Sequence, residues 1–443
     1  MGISASTGIT SGIDYASLIE GLIKIERQPI TLMENRQSRL ETSKSALSTL
    51  SSKLKELQSA ADALKSTTSF NVFKTSVSDE TVFTASASSS ASAGNYTIKV
   101  NLLAKNHQIV STGVADKDAT LIAAGAGSFK FTVGSGAVQT VNVDATTTMQ
   151  KLADDINALS AGATASIVNT GTEYKLILKS NETGTSNSLA ITQNDTTLTT
   201  SDLQTAQNAS ITVDGLTVTR SSNTITDVIG GVTINLLKVG SAAGETLTVT
   251  RDTDSIKTKI TDLVDKYNSV MTYINENNKY DSKTKTKGSL YGEAVAKTVM
   301  EQMRQTIQST ISGLSNPDMN ELREAGISID SKGKLSVDST KLSDALSTKF
   351  NDVVNLFATG STTGFGALIY DAIDIFTNAD GSITKRTTGY DNTIKSLDKA
   401  IEQKESKLDA YAETLRIRFA ALESMVTSLR NQQNYLAGAL GRY

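Results

Sequence analysis

Hydrophobic and polar positions follow three rhythms along the 443 residues. The first, up to about Ser69, is helical. Leu18, Leu22 and Ile25 lie at helical spacing, Pro29 interrupts, and a row spaced by seven then runs through Met33, Leu40, Leu47, Leu54 and Ala61. A second row, Leu50, Leu57 and Leu64, follows three residues after the last members of the first. Two rows at that offset merge into one seam on a helix, although Arg36 and Ser43 weaken its upstream half. The second rhythm, 70–253, has period two and predicts strands, most plainly over 95–100, 128–133 and 246–250, with turns at Gly134-Ser135-Gly136, Asp214-Gly215 and Gly230-Gly231. One helix interrupts it at 148–159, with Met149, Leu152, Ile156 and Leu159 on one face. Residues 127–191 therefore read strand, strand, helix, strand, strand, an α+β unit inserted in a larger β domain.

The third rhythm is helical again. Ile256, Ile260, Leu263, Tyr267, Val270 and Ile274 alternate steps of four and three. A polar segment over 275–288 breaks the pattern, a further helix is expected at 294–311, and a glycine-containing turn predicts a hairpin over 326–337. The last segment carries the strongest repeat: Ile394, Ile401, Leu408, Leu415, Leu422, Leu429 and Leu436, all spaced by seven. It predicts a helix from about Asp391 to Ala439, roughly 70 Å long. The companion row (Leu397, Lys404, Tyr411, Arg418, Met425, Gln432, Ala439) is mixed, so the helix needs partners along its stripe. It is either one member of an ordinary bundle or a leg that pairs with the N-terminal seam or with other molecules. The candidate contact residues are Leu40, Leu47, Leu50, Leu54, Leu57 and Leu64 with the seven aliphatics from Ile394 to Leu436.

Composition narrows the function by exclusion. Lys and Arg total 43 and Asp and Glu 46, a net charge of −3, which offers no dedicated nucleic-acid surface. With no cysteine and one histidine, thiolate metal sites, disulfides and cysteine nucleophiles are excluded, and any His-dependent triad must use His107. We read His107 as a surface or strand-edge residue and the adjacent Asp154 and Asp155 as a solvated helix face. No catalytic residue, cofactor or metal ligand is expected, and the chain is read as not an enzyme. No run of about 18 apolar residues exists, so no membrane insertion is expected. Asp14 and Glu20 precede the first cation, Lys24, which makes a poor secretory leader. The small residues at 1–6 fit a myristoylation pattern but are read as a polar terminus.

Several segments carry a resemblance in chain order. Gly8-Ile9-Thr10-Ser11-Gly12-Ile13-Asp14, followed by Leu22, Glu26, Pro29 and Leu32, resembles the opening of the flagellar filament-capping family, hook-associated protein 2. Residues 127–191 resemble a flagellin-type insertion motif through Val141-Asn142-Val143-Asp144, Leu152-Ala153-Asp154-Asp155-Ile156-Asn157 and Thr164-Ala165-Ser166-Ile167-Val168. Gly326-Ile327-Ser328-Ile329-Asp330, Gly333-Lys334-Leu335, Lys341-Leu342, Ala345-Leu346 and Leu356-Phe357 resemble the C-terminal block of the capping family. So does the close from Leu415 through Glu423, Met425 and Leu429 to Leu436.

The resemblance implies an α+β multidomain fold, with long helical coiled-coil legs from both termini and central β-rich domains looped out between them. The expected divisions are 1–69, an N-terminal helical leg; 70–114 with 201–253, a β-rich plate domain; 115–200, an inserted α+β outer domain; 254–390, a helical domain with a β-hairpin; and 391–443, a C-terminal coiled-coil leg. It further implies a homo-oligomeric, pentamer-like ring at the distal end of the flagellum, secreted and extracellular, that promotes folding and insertion of flagellin and prevents its loss. Flagellin, hook–filament junction proteins and an export chaperone are the implied partners. A surface adhesin binding host glycans or mucin is the alternative. Both terminal segments are expected to be mobile in the isolated protein, with protease trimming it to about 70–391.

Overall fold

The computed structural model describes residues 12–359 and 363–440. The 1–6 pattern, Gly8 to Ser11 of the resembling opening, and the last three residues lie outside the described residues. Among the described residues the helices are α1 (Tyr15–Glu26), α2 (Gln28–Asp62), α3 (Met149–Ala158), α4 (Thr253–Asn277), α5 (Ala294–Ile307), α6 (Ser339–Thr348), α7 (Phe350–Ala358), α8 (Phe365–Thr377) and α9 (Ser382–Leu440). Every strand pairing among them is antiparallel. The chain divides into a helical unit, Met1–Ser69 with Lys257–Tyr443, and a β unit, Phe70–Ile256.

The helical unit is organised around the second half of α2. Leu47, Leu50, Leu54, Leu57 and Leu64 are fully buried, where α2 packs along α8 and α9. The expectation that the whole of 1–69 is a mobile leg is therefore corrected: from Ala46 onward this segment forms core. Helix α8 supplies Phe365, Ile369, Ile373 and Phe376 to the same core, and its start is held tightly against the end of α2. A Cβ on Gly366 would lie 2.7 Å from the Lys65 backbone. Gly366→Ala should therefore destabilise the unit by about 1–3 kcal/mol, because the backbones must separate to admit the methyl. Urea denaturation followed by helical circular dichroism measures this, and an unchanged midpoint would contradict the close approach.

Each member of the α4 row from Ile256 to Ile274 is at most 2% exposed, which is the outcome its four-and-three spacing predicts. The hairpin forms from Ile327–Ile329 and Leu335–Val337. Asn268 of α4 fixes it from the side: its amide donates to the Leu335 carbonyl and its carbonyl accepts from the Leu335 N–H, both at 2.8 Å.

The β unit contains two cores. Five strands in the order Phe73–Val77, Glu245–Arg251, Gly94–Leu102, Ala209–Val213, Leu216–Arg220 form one sheet, and Thr224–Ile229, Val232–Leu236 and Phe83–Ala87 form a second. Phe83, Ile98, Val100, Ile211, Ile234 and Leu247 fill their core. Period two explains the burial: in Glu245–Arg251, Leu247 and Val249 point inward and the threonines between them outward. The second core is the insert. Its sheets are Thr200–Gln204, Asn106–Ser111, Tyr174–Thr183, Ala163–Asn169 and Gln139–Val143, Gly127–Val133, Leu189–Asn194. Helix α3 buries Met149, Leu152 and Ile156 there against Phe129 and Phe131. Leu159, expected on that face, is instead 38% exposed at the helix end. The insert is wider than the expected 115–200, because Asn106–Ser111 and Thr200–Gln204 pair with each other inside its four-stranded sheet.

His107 also departs from expectation. It is 7% exposed and links its own strand, Asn106–Ser111, to three others. Its backbone N–H donates to Ser180 Oγ at 2.9 Å and its Nδ1 accepts from the Leu189 N–H at 2.8 Å. The proton therefore sits on Nε2, 3.2 Å from Asp202 Oδ1. Both ring nitrogens serve structure, and neither is presented to a substrate.

Candidate functional site

Helices α1 and α2 run against α9 in the opposite direction. Tyr15 stacks on Phe419 with ring centroids 5.1 Å apart, and its hydroxyl donates to Glu423 at 3.3 Å. Farther along, Arg27 pairs with Glu405 at 3.2 Å, Gln37 donates to Asp398 at 2.8 Å, and Lys44 pairs with Asp391. From Tyr15 to Lys44 the chain advances 29 residues while its partner retreats 28, from Phe419 to Asp391. A single antiparallel register thus holds for about 43 Å.

Local sequence sets up this pairing. Asp14, which closes the resembling opening, is the N-cap of α1: its carboxylate accepts from the Ser17 N–H at 3.1 Å and the Ser17 hydroxyl at 2.6 Å. Those two bonds, the hydroxyl's first, hold its pKa below the ordinary carboxylate value. Pro29 falls in the first turn of α2, where its missing N–H is not needed, so the break sits at Arg27 and the register survives it. The surface ion pairs along the seam are half-exposed and contribute little each. Apolar burial does more: Tyr15, Ile19, Ile30, Leu408, Ala412 and Leu415 are at most 7% exposed.

The structure separates the thirteen candidate residues into groups. Leu47, Leu50, Leu54, Leu57 and Leu64 are sealed inside the helical unit and offer no surface. Leu40, Ile394 and Ile401 are partly buried along the pair, and Leu408 and Leu415 are buried in it. Leu422, Leu429 and Leu436 are 46%, 58% and 58% exposed. Beside them the seven-residue repeat overlooked Met425 and Ile417 of α9 and Leu18, Leu22, Ile25 and Leu32 of α1 and α2, all exposed. Plotting each helix at about 100° per residue would have found most of them.

These exposed side chains form a face. On α1, Leu18, Leu22 and Ile25 stand about 70° around the axis from buried Tyr15 and Ile19. On α9, Leu422, Met425, Leu429 and Leu436 stand about 80° from the buried flank of Leu408, Ala412 and Leu415, in the same rotational sense. Because the helices are antiparallel, equal rotations bring both flanks to the same side of the pair. The result is an apolar strip contributed by two helices and left uncovered among the described residues. Such a strip suits docking by another helix rather than covalent chemistry. Among the described residues no cluster of three His, Cys, Asp or Glu could hold a metal ion, and no helix is long and apolar enough to cross a membrane.

Two family descriptions match the chain: the N-terminus of flagellar hook-associated protein 2 over residues 11–107 and its C-terminus over 206–431. Flagellar hook-associated protein 2 of Escherichia coli K12 is 30% identical, covering 98% of this chain and 97% of its own length. The chain belongs to the flagellar hook-associated protein 2 family. The B-type member from Pseudomonas aeruginosa is 29% identical over 99% of this chain and 97% of its own. The solved D1-D2-D3 domains of the flagellar cap protein FliD from Escherichia coli superpose with a TM-score of 0.67 at 30% identity, covering 78% of this chain and 99% of that one. The two matched family segments stop and resume at 107 and 206, so the insert, 106–204, falls almost wholly between them. Both partners of the helix pair lie inside the matched segments as far as residue 431.

Proposed function

We propose that this chain caps the distal end of the flagellar filament, outside the cell, and guides the folding and insertion of flagellin delivered there. Membership of the hook-associated protein 2 family supports this, and the uncovered strip on the α1–α9 pair is the observation that carries it. The pair is the leg of the cap, a coiled coil with one side left for the helices of the filament end. Leu18, Leu22, Ile25, Leu422, Met425, Leu429 and Leu436 make that contact, and the sealed leucines of α2 hold the leg to its base. Several copies form a ring. Flagellin, the hook–filament junction and, before secretion, an export chaperone are its partners. The work is done by shape and burial, with no bond made or broken in the substrate. The relatives named above carry no adhesin description.

Immunogold labelling of native flagella tests the reading. Label should concentrate at filament tips, and cells lacking the chain should release flagellin monomers into the medium. Label spread over the cell body, with filaments of normal length in the deletion strain, would overturn it.

A further inference from the structure

Helix α4 runs antiparallel to α2 inside the helical unit. Lys259 donates to the Ser69 carbonyl at 2.8 Å, Lys266 pairs with Glu56 at 3.0 Å, Lys53 donates to Ser269 at 2.9 Å and the Tyr273 hydroxyl donates to the Ala46 carbonyl at 3.1 Å. Continued past the end of α4 at Asn277, this register carries the next segment to the level of α2 near Gln37 and Glu41. Near that level the continuous burial of the unit ends, at Ala46 in α2 and at Tyr390 in α9. The segment is a two-stranded hairpin, Tyr280–Asp281 against Thr286–Lys287.

The hairpin is anchored at its base. The Gly288 N–H donates to the Lys279 carbonyl at 2.9 Å and the Leu290 N–H to the Asn277 carbonyl at 3.0 Å. Leu290 is fully buried as its anchor. A Cβ on Gly288 would lie 2.1 Å from the Asn277 carbonyl oxygen, so the position admits only glycine. What the hairpin presents is cationic. Lys279, Lys283, Lys285 and Lys287 are exposed, and none joins an ion pair among the described residues. The one acid between Asn277 and Gly292 is Asp281, whose Oδ1 accepts from the Thr284 and Lys283 N–H groups of the turn and whose charge interacts with Lys279, so three lysine charges remain in excess on the hairpin. On one face Tyr280 and Tyr291 lie 5.9 Å apart, each nearly half-exposed, with Lys287 Nζ 5.5 Å from the Tyr291 ring.

An excess of three lysine charges on a hydrogen-bonded ribbon, floored by two tyrosine rings, presents charge and a flat apolar surface together. Tyrosine gives contact area at little entropic cost, and clustered like charge is unfavourable until a carboxylate-bearing surface meets it. We propose that this hairpin is a second contact beside the leg, docking on a carboxylate-rich protein surface of the filament end that the leg engages. The proposal rests on the capping reading. It adds that the leg's apolar grip is oriented by a charged stop at its base.

The test is binding of the purified full-length chain to sheared flagellar filaments, measured by co-sedimentation from about 25 to 500 mM salt. Lys283→Glu with Lys285→Glu should weaken binding about tenfold at the low end and flatten its dependence on salt, with an unchanged melting temperature. Tyr280→Ala should weaken binding at every salt concentration alike. Lysine variants that bind as the wild type does, while Leu422→Asp with Leu429→Asp abolishes binding, would overturn the hairpin contact and leave the cap reading intact. A wild-type chain that fails to bind filaments at any salt would overturn both.

Discussion

Replacing Leu422 and Leu429 together with aspartate should abolish filament growth while leaving the melting temperature of the purified protein within about 2 °C of the original. Both side chains are roughly half-exposed in the free chain, so the new carboxylates stay hydrated and the core loses nothing. On the capping role proposed above, the same positions face a covering helix in the assembled cap. Burying either charge there without a partner costs several kcal/mol, enough to reduce occupancy by orders of magnitude. Cells carrying the double variant should export the protein, shed flagellin, and carry short filaments or none. Motility and melting measured on the same variant decide the matter. Normal motility would mean that this strip does not touch the filament, and early melting would mean that the leucines belong to an internal bundle.

Removing residues 1–69 should have the opposite profile: loss of folding in one unit and none in the other. The deletion takes out five fully buried leucines, Leu47, Leu50, Leu54, Leu57 and Leu64, each worth about 2 kcal/mol of burial, and it uncovers α8 and α9. That sum rivals the 5–15 kcal/mol by which a typical domain is stable. The β unit owns two complete cores and begins at Phe70, so its transition should persist. Differential scanning calorimetry of the full and shortened chains distinguishes these outcomes. Two undiminished transitions in the shortened chain would show that the start of the chain is a detachable leg throughout.

Much of the fold was legible because periodicity reports which face of an element is apolar. The α4 row, the 326–337 hairpin and the helix of the insert follow directly from it, whereas the order strand, strand, helix, strand, strand missed a further strand, Leu189–Asn194, after the helix. Periodicity does not report what covers that face. The leucines of α2 from Leu47 and those of α9 beyond Leu415 carry the same seven-residue signature, yet one set is sealed and the other exposed. The difference is set by α8, an apolar helix some 300 residues away in sequence from α2. The insert's limits were misjudged for a similar reason, since Asn106–Ser111 takes its partners from Thr200–Gln204 and Tyr174–Thr183. His107 looked superficial because a lone histidine among alternating residues gives no sign that Leu189 and Asp202 will meet it from other strands. The exposed strip is legible in part: the helical spacing of Leu18, Leu22 and Ile25 and the place of Met425 in the companion row mark them as apolar, and their angular offset from the buried set marks them as a separate flank.

The way the chain enters and leaves the β unit has a consequence for its variability. Phe73–Val77 and Glu245–Arg251 are adjacent strands, Phe73 opposite Arg251, so the two crossing points are side by side. The insert repeats the arrangement one level outward, with Lys105 bridged to Gln207 and Ser111 opposite Thr200. Each layer is thus a closed detour whose ends meet before the layer beneath resumes. A detour of this kind can lengthen, shorten or be exchanged for another module without shifting the ends it must rejoin, and the entropy of closing a longer loop rises only slowly with its length. The gap between residues 107 and 206 in the family match is where such exchange would register first: sequence there can drift, or be grafted from elsewhere, while the helices that pair the two ends of the chain keep their register.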